Sequence, residues 1–205
     1  MLDHSLLAWI ALSVGLAVTP GPDTMVVAGN AARNGLRAGM AGVAGILVGG
    51  LWYMALCGFG FLSVLAVFPM LFTIVKIAGA LYLGWLGARA LIGALRAGGE
   101  QAALRSSAQP FRQGLFTTAL NPKVALFFLA ILPQFVGRDA GAPVRGMLLI
   151  GIAYAIGAVW LSGVALVAAR AGRAARQSSL MRWFEGALGT AYLALAGRMA
   201  FVRNI

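Results

Sequence analysis

Six long apolar stretches constrain what this chain can fold into more than any other feature. They cover residues 5–31, 39–66, 70–95, 113–136, 144–169 and 182–202. Crossing the hydrocarbon core of a bilayer as a helix takes about 20 mostly apolar residues, and none of the stretches shows the alternation of a half-buried strand. The sequence therefore predicts an all-α polytopic membrane protein, with residues 1–205 forming one domain of six transmembrane helices.

The composition agrees with a lipid environment. Hydrophobic residues make up 61% of the chain and charged residues only 10%, whereas soluble domains carry about 25% charged residues. The net charge of +11 raises the alternative of a nucleic-acid partner. Such binders line a groove with basic and aromatic side chains, but here the basic residues lie between apolar segments. We therefore expect membrane lipids as partners and no nucleic acid.

The arginines predict the orientation of the chain. Ten lie in or near the loops after the first, third and fifth stretches, and four lie on the opposite side. The positive-inside rule places the odd loops in the cytoplasm and both termini in the periplasm. Residues 170–182 are expected to contact anionic headgroups, at about 1 kcal/mol per basic residue, unless they act as a topology signal alone.

The two halves of the chain resemble each other. Residues 78–91 (AGALYLGWLGARAL) match residues 188–201 (LGTAYLALAGRMAF) at five of fourteen positions, including Tyr82 with Tyr192. A polar loop at 97–112 separates a first repeat, 1–96, from a second, 113–205. With three helices each, the repeats must be inverted, which is typical of secondary transporters. Recurrence of Gly and Tyr by composition alone is the alternative.

A proline motif interrupts the first helix of each half. Pro20-Gly21-Pro22 lies in the first apolar stretch and Asn121-Pro122 in the fourth. Proline lacks an N–H and clashes with the preceding turn, so helices 1 and 4 are predicted to break there. Binding sites of transporters with inverted repeats lie near the midplane between such breaks. A simple packing kink is the alternative.

A charged residue follows each break. Asp23 is the only acidic residue deep within an apolar stretch, and Lys123 holds the comparable position in the second half. Charges inside a membrane are costly and usually functional. We hypothesise that the two side chains alternate between pairing with each other and binding the ends of a zwitterion; a permanent structural ion pair is the alternative. Weaker candidates for the site are Asn121, Gln134, Tyr82 and Tyr192.

Several chemistries are excluded by what the sequence lacks. A single histidine and a single cysteine cannot build a metal cluster, a His-based triad or a dithiol relay. No G-x-x-x-x-G-K-[ST] loop is present, so ATP does not drive this chain directly. We therefore predict no cofactor, no metal and no enzymatic activity, and a transport process driven by a gradient.

The motifs resemble one known family. The PGPD element (residues 20–23), NGLRAG (34–39), GALYLGWLGARAL (79–91), Asn121-Pro122-Lys123 and FFLAILPQF (127–135) occur in the order seen in the LysE/RhtB amino-acid exporters. This resemblance covers nearly the whole chain. It implies a secondary exporter of amino acids or close derivatives in a bacterial inner membrane, coupled to protons, with the PGPD and NPK elements forming the central site.

The residues narrow this expectation further. The deep stretches hold no cluster of acids to receive a dication, which favours a neutral substrate of the threonine, homoserine or leucine type over a basic one. An exporter of another small cation or metabolite on the same fold is the alternative. Gly45 and Gly49 form a small-xxx-small pair that is expected to pack helices within the fold, with formation of a homodimer as the alternative.

Overall fold

The computed structural model describes residues 2–59, 109–137 and 139–175, together with individual helical residues between 74 and 92 and between 187 and 197. Within these residues every regular element is an α-helix. The helices are α1 (Leu2–Val18), α2 (Pro22–Asn34), α3 (Leu36–Gly58), α4 (Pro110–Ala119), α5 (Pro122–Ile131), α6 (Pro133–Val136) and α7 (Ala142–Ala175).

Two of these helices, α3 and α7, are each long and apolar enough to cross a membrane. The other candidates are bent pairs: α1 and α2 meet at an angle of 52°, and α4 meets the α5–α6 segment at 42°. By length and composition, the described residues thus contain two candidate membrane spans, or four if each bent pair crosses as one. Most of the predicted third and sixth helices, 70–95 and 182–202, lies outside the described residues.

Each bent pair has a proline at the first position of its second helix. Pro22 opens α2 after the N-cap Gly21, and Pro122 opens α5 after the N-cap Asn121. Proline fits this position because its missing N–H would have no partner within the helix anyway. The Asn121 side chain accepts a hydrogen bond from the backbone N–H of Lys123 at 3.1 Å. These local signals start a new helix after each interruption.

Some helix ends differ from the bounds of the apolar stretches. Gly35 alone separates α2 from α3, and its φ of 85° is a left-handed value that glycine adopts without strain. The helix α7 continues past residue 169 to Ala175, and α4 begins at Pro110, inside the stretch assigned to the polar loop. Arginine and alanine are good helix formers, so the backbone stays helical where the apolar pattern has ended.

The packing contacts define the directions of the helices. Along α3, Gly39 lies against Ala165, Gly50 against Tyr154 and Gly58 against Met147, so α3 and α7 are antiparallel. In contrast, α3 and α4 are parallel, since successive turns of α3 meet successive turns of α4. Because α2 and α3 form a hairpin at Gly35, the bent pair of the first half runs opposite to that of the second. The matched repeat segments lie largely outside the described residues.

Glycines permit the close approach of α3 and α4. A methyl group at Gly45 would overlap the backbone carbonyl of Phe111, and one at Gly114 would overlap the carbonyl of Gly42. Gly49 likewise faces Thr118. The small-xxx-small pair Gly45 and Gly49 therefore packs two helices of the fold against each other, as the sequence predicted.

Basic residues gather at one end of the bundle. The end of α2 and the start of α3 meet the end of α7 there, because Gly172 packs on the backbone of Ala32 and Gly39 on Ala165. The start of α4 reaches the same end through Pro110, close to Gly42. The arginines on these segments are Arg33, Arg37, Arg112, Arg170 and Arg173. This is the end that the arginine distribution assigns to the cytoplasm.

Candidate functional site

Both helix breaks line one internal cavity of about 70 Å³. One water molecule needs roughly 10–15 Å³ on this scale, so the cavity has room for several waters or for part of a small solute. Asp23 and Lys123 both face it, and α3 and α7 complete its walls. Residues on either side of the breaks that contribute to the lining are Leu16, Ala17, Thr19, Gly21, Thr24, Asn121 and Val124.

Lys123 reaches from the second break to the first. Its Nζ donates to the carbonyl of Leu16 at 2.8 Å and to the carbonyl of Thr19 at 2.6 Å. These carbonyls lie where α1 ends, so they have lost the helical partners that the next turn would supply. A cation is also favoured at the negative end of a helix dipole. Lys123 thereby caps the helix that the first break cuts short.

Asp23 makes the reciprocal contact with the other half. Its Oδ2 accepts a hydrogen bond from Thr118 Oγ1 at 3.0 Å, and Thr118 lies in the last turn of α4. Its Oδ1 is buried and makes no hydrogen bond of good geometry among the described residues, although the Asn121 side chain lies beside the carboxylate. Asp23 and Lys123 thus face one cavity with different partners, rather than forming an ion pair with each other in this conformation.

Tyr53, on α3, places a hydrogen-bond donor at the backbone carbonyls of the second break. Its hydroxyl lies 3.3 Å from the carbonyl oxygen of Thr118 and 3.4 Å from those of Ala119 and Asn121. Only 3% of Tyr53 is exposed, so water is excluded from these carbonyls on that side. The freed carbonyls at the end of α4 therefore share a neutral donor, whereas those at the end of α1 bind a cation.

Two further hydroxyl groups line the cavity without partners. The Oγ of Ser13, on α1, and the hydroxyl of Tyr154, on α7, are buried and make no hydrogen bond of good geometry within the described part of the chain, although the Thr118 side chain lies beside the Tyr154 hydroxyl. A buried polar group left unsatisfied costs about 1–3 kcal/mol. Asp23 Oδ1 is a third buried oxygen among the lining residues that makes no hydrogen bond within the described part of the chain.

Sequence reasoning missed Ser13, Tyr154, Thr118 and Tyr53. Each is a hydroxyl-bearing residue inside an otherwise apolar helix, and that is the only signal the sequence carries. Such residues also pack membrane helices without any binding role, so the signal is weak. Their common position around the breaks appears only when helices distant in sequence are brought together.

The remaining predicted site residues lie in other places. Gln134 is exposed, and its Nε2 donates to the carbonyl of Ala130 at 2.9 Å. Tyr82 is half-buried beside Phe116, with its hydroxyl 3.5 Å from the carbonyl of Gln113. Neither is among the residues that line the cavity, and Tyr192 lies outside the described residues. Pro20 is exposed and Pro22 buried, and both act through the backbone.

Metal binding finds no support in the described part of the chain, where no three His, Cys, Asp or Glu side chains gather. Apolar helices, two bent pairs and a cavity that holds two charged side chains are instead typical of a membrane transporter. The chain belongs to the LysE type translocator family, whose sequence profile matches residues 14–202. The family resemblance inferred from the motifs is therefore confirmed.

Relatives support this assignment across the chain. The threonine efflux protein of Escherichia coli K12 is 29% identical over 181 residues, covering 85% of this chain and 87% of its own. The leucine efflux protein of Klebsiella pneumoniae is 30% identical over 139 residues, covering 67% and 66%. An uncharacterised membrane protein of Bacillus subtilis is 28% identical over 196 residues, covering 91% and 93%. No solved structure matches the chain.

Proposed function

We propose that this protein is a secondary active exporter of neutral amino acids or close derivatives, driven by protons and located in a bacterial inner membrane with both termini in the periplasm. The observation that carries the proposal is the meeting of both helix breaks at one cavity lined by Asp23 and Lys123. Threonine and leucine efflux by relatives supports amino acids as the substrate class.

Each of the two charged groups keeps one hydrogen-bonding position for a zwitterionic substrate. An ammonium has three N–H donors, and Lys123 uses two of them on Leu16 and Thr19. The third is available to a substrate carboxylate. Asp23 uses Oδ2 on Thr118, which leaves Oδ1 for a substrate ammonium. Hydrogen bonds to the protein thus fix the positions of both charged groups, and a bound amino acid would bridge them.

A neutral substrate fits this charge balance better than a basic one. Asp23 is the acidic residue of the cavity lining, and Lys123 offsets its charge. The second positive charge of a lysine or arginine substrate would find no acidic partner in that lining. Its desolvation in the cavity would then be uncompensated, which costs several kcal/mol in a membrane.

Proton coupling is assigned to Asp23. A carboxylate with one unpartnered, buried oxygen can bind either a proton or a substrate ammonium there. Competition between the two at Oδ1 would couple uptake of a proton from the periplasm to release of the amino acid. The opposed directions of the two bent pairs favour alternating access by rocking of the two halves around the cavity.

Efflux from proteoliposomes tests this proposal. Vesicles loaded with labelled threonine should release it through the native protein when the pH is lowered on the side that corresponds to the periplasm, and a protonophore should slow the release. Asp23→Asn should abolish export while the protein still folds and inserts. Asp139→Asn is the matched control, because Asp139 is exposed and outside the cavity.

The outcome separates the proposal from its alternative. Full export by Asp23→Asn would remove this carboxylate from the mechanism. Release of a small inorganic cation but of no amino acid by the native protein would favour the exporter of another solute on the same fold.

A further inference from the structure

A hydrogen bond between the two halves of the chain ends on the Asp23 carboxylate. Thr118 Oγ1, in the last turn of α4, donates to Asp23 Oδ2 at 3.0 Å, although the two residues are 95 positions apart. We propose that Thr118 is a positioning residue that favours the charged form of Asp23 and thereby sets the pH at which this carboxylate takes up a proton. This inference rests on the proposed function, in which Asp23 binds the proton.

Contacts with α3 fix the position of the Thr118 side chain. Its Cγ2 lies against Gly49, where an added methyl group would overlap it. Its backbone carbonyl oxygen lies 3.3 Å from the Tyr53 hydroxyl, and the whole residue is buried. Because Cγ2 and Oγ1 are both bonded to Cβ and a threonine has few allowed rotamers, the contact of the methyl group with α3 also determines the direction of the hydroxyl.

A second hydrogen bond aligns the helices that carry Asp23 and Thr118. Asn30 Nδ2, on α2, donates to Gln113 Oε1, on α4, at 2.8 Å. Asn30 follows Asp23 by seven residues along α2. Gln113 precedes Thr118 by five residues along α4, as expected where two antiparallel helices pack. The approach of the hydroxyl to the carboxylate is therefore set by packing of α2 against α4 over more than one helical turn.

A hydroxyl donor acts differently on the two protonation states of a carboxyl group. An ionised carboxylate can only accept hydrogen bonds, and a donor that points at it stabilises the charged form. This matters most inside a membrane, where an unsupported charge is costly. The Thr118 hydroxyl thus opposes protonation of Asp23, and its removal should allow the proton to bind at a higher pH.

Other titratable groups face Asp23 from the neighbouring helices. Within the described residues they are Lys123 on α5, Tyr53 on α3 and Tyr154 on α7. The uncharged Asn121 side chain also lies beside the carboxylate, and α1 contributes no titratable side chain to the cavity lining. Substitutions at Thr118 leave all these groups in the chain. Because Tyr154 also lies beside Thr118, the background Tyr154→Phe separates a direct effect on Asp23 from one transmitted through the tyrosine.

The experiment measures exchange of labelled for unlabelled substrate in proteoliposomes with equal pH on both faces, so that no proton gradient is needed. The probe is threonine or leucine, whichever the native protein exchanges. Exchange requires the charged form of Asp23 and should fall to half at a midpoint as the pH is lowered. Thr118→Val removes the hydroxyl but keeps the shape, and should move this midpoint about one pH unit upward, with or without Tyr154→Phe. Thr118→Ser keeps the hydroxyl and should retain the native midpoint.

Thr117→Val is the matched control. Thr117 is the adjacent threonine on α4 and is also buried, but it lies beside Tyr82, and its Oγ1 makes no hydrogen bond of good geometry within the described residues. Its midpoint should equal the native one. If Thr118→Val does not fold, Thr118→Ala and Thr118→Ser provide the same comparison, because both lack the methyl group that contacts Gly49 and they differ only in the hydroxyl.

The position of the midpoint decides between the outcomes. A lower maximal rate with an unchanged midpoint in Thr118→Val would show a structural role alone and overturn the inference. An equal shift in Thr117→Val, or loss of the shift in the Tyr154→Phe background, would also overturn it, while leaving amino-acid exchange by the native protein intact. A native protein that exchanges neither amino acid, or whose exchange does not depend on pH, would instead overturn the proposed function itself.

Discussion

Two buried tyrosines allow the same chemical change to be made in opposite environments. Replacing Tyr53 or Tyr154 by phenylalanine removes one oxygen atom and leaves the ring. The Tyr53 hydroxyl lies 3.3–3.4 Å from three backbone carbonyls at the second break. The Tyr154 hydroxyl is also buried but makes no hydrogen bond of good geometry within the described residues, although the Thr118 side chain lies beside it. The two substitutions should therefore change stability in different directions.

The magnitudes follow from these contacts. A hydrogen bond contributes a net of about 1 kcal/mol, and the long distances at Tyr53 argue against a larger value. For a chain of this size, about 1 kcal/mol corresponds to a fall in Tm of roughly 2–4 °C. At Tyr154 no hydrogen bond is lost and an unsatisfied hydroxyl is removed. Tyr154→Phe should therefore leave Tm unchanged or raise it.

Thermal unfolding of the purified proteins in one detergent, without substrate, measures both effects. Intrinsic tryptophan fluorescence is a suitable probe, because Trp9, one of five tryptophans in the chain, is fully buried and its Nε1 donates to the carbonyl of Leu149 at 2.8 Å. Equal falls in Tm for both variants, or a larger fall for Tyr154→Phe, would refute the conclusion that the Tyr53 hydroxyl caps a helix and the Tyr154 hydroxyl is unsatisfied.

Three further predictions follow from other parts of the structure. Lys123→Met should abolish threonine efflux and lower Tm in the thermal assay, because the carbonyls at the end of α1 lose two charge-assisted hydrogen bonds. Gly45→Ala should lower the yield of monodisperse protein on size exclusion, whereas Gly163→Ala, which meets open space, should not; equal yields would contradict the close packing of α3 and α4. The ion pair with Arg145 and the backbone N–H of Gly141 lower the pKa of Asp139 below its ordinary value of 3.8. Any difference in Tm between the native protein and Asp139→Asn should thus be constant above that pH and disappear as the pH falls through the lowered pKa; a difference that vanished near neutral pH would contradict this.

Much of the fold could be predicted from the sequence because it follows from local chemistry. Span length follows from the thickness of the bilayer, and a proline interrupts a helix whatever surrounds it. The two interruptions and the family were therefore predicted from short segments. The ends of the helices were less predictable, because apolar patterns and helix propensity need not end at the same residue, as α7 and Gly35 illustrate.

The candidate site likewise contains residues that the sequence indicated and residues that it did not. Asp23 and Lys123 stood out in the sequence because a charge within an apolar stretch is rare and costly. Ser13 and Tyr154 did not, since a hydroxyl in a membrane helix has many uses. Gln134 and Tyr82 were suggested by a neighbouring proline and by the repeat, but neither feature determines which way a side chain faces.

The sequence alone determined which segments are apolar enough to cross a membrane, where prolines occur within two of them and which charges lie in them, because each of these follows from chemistry along a single segment. Tertiary structure alone decided what those charges bind. Lys123 caps a helix that ends 104–107 residues earlier in the chain, and Tyr53 caps carbonyls 65–68 residues later. No local rule connects positions so far apart, since their contact depends on how all the intervening helices pack.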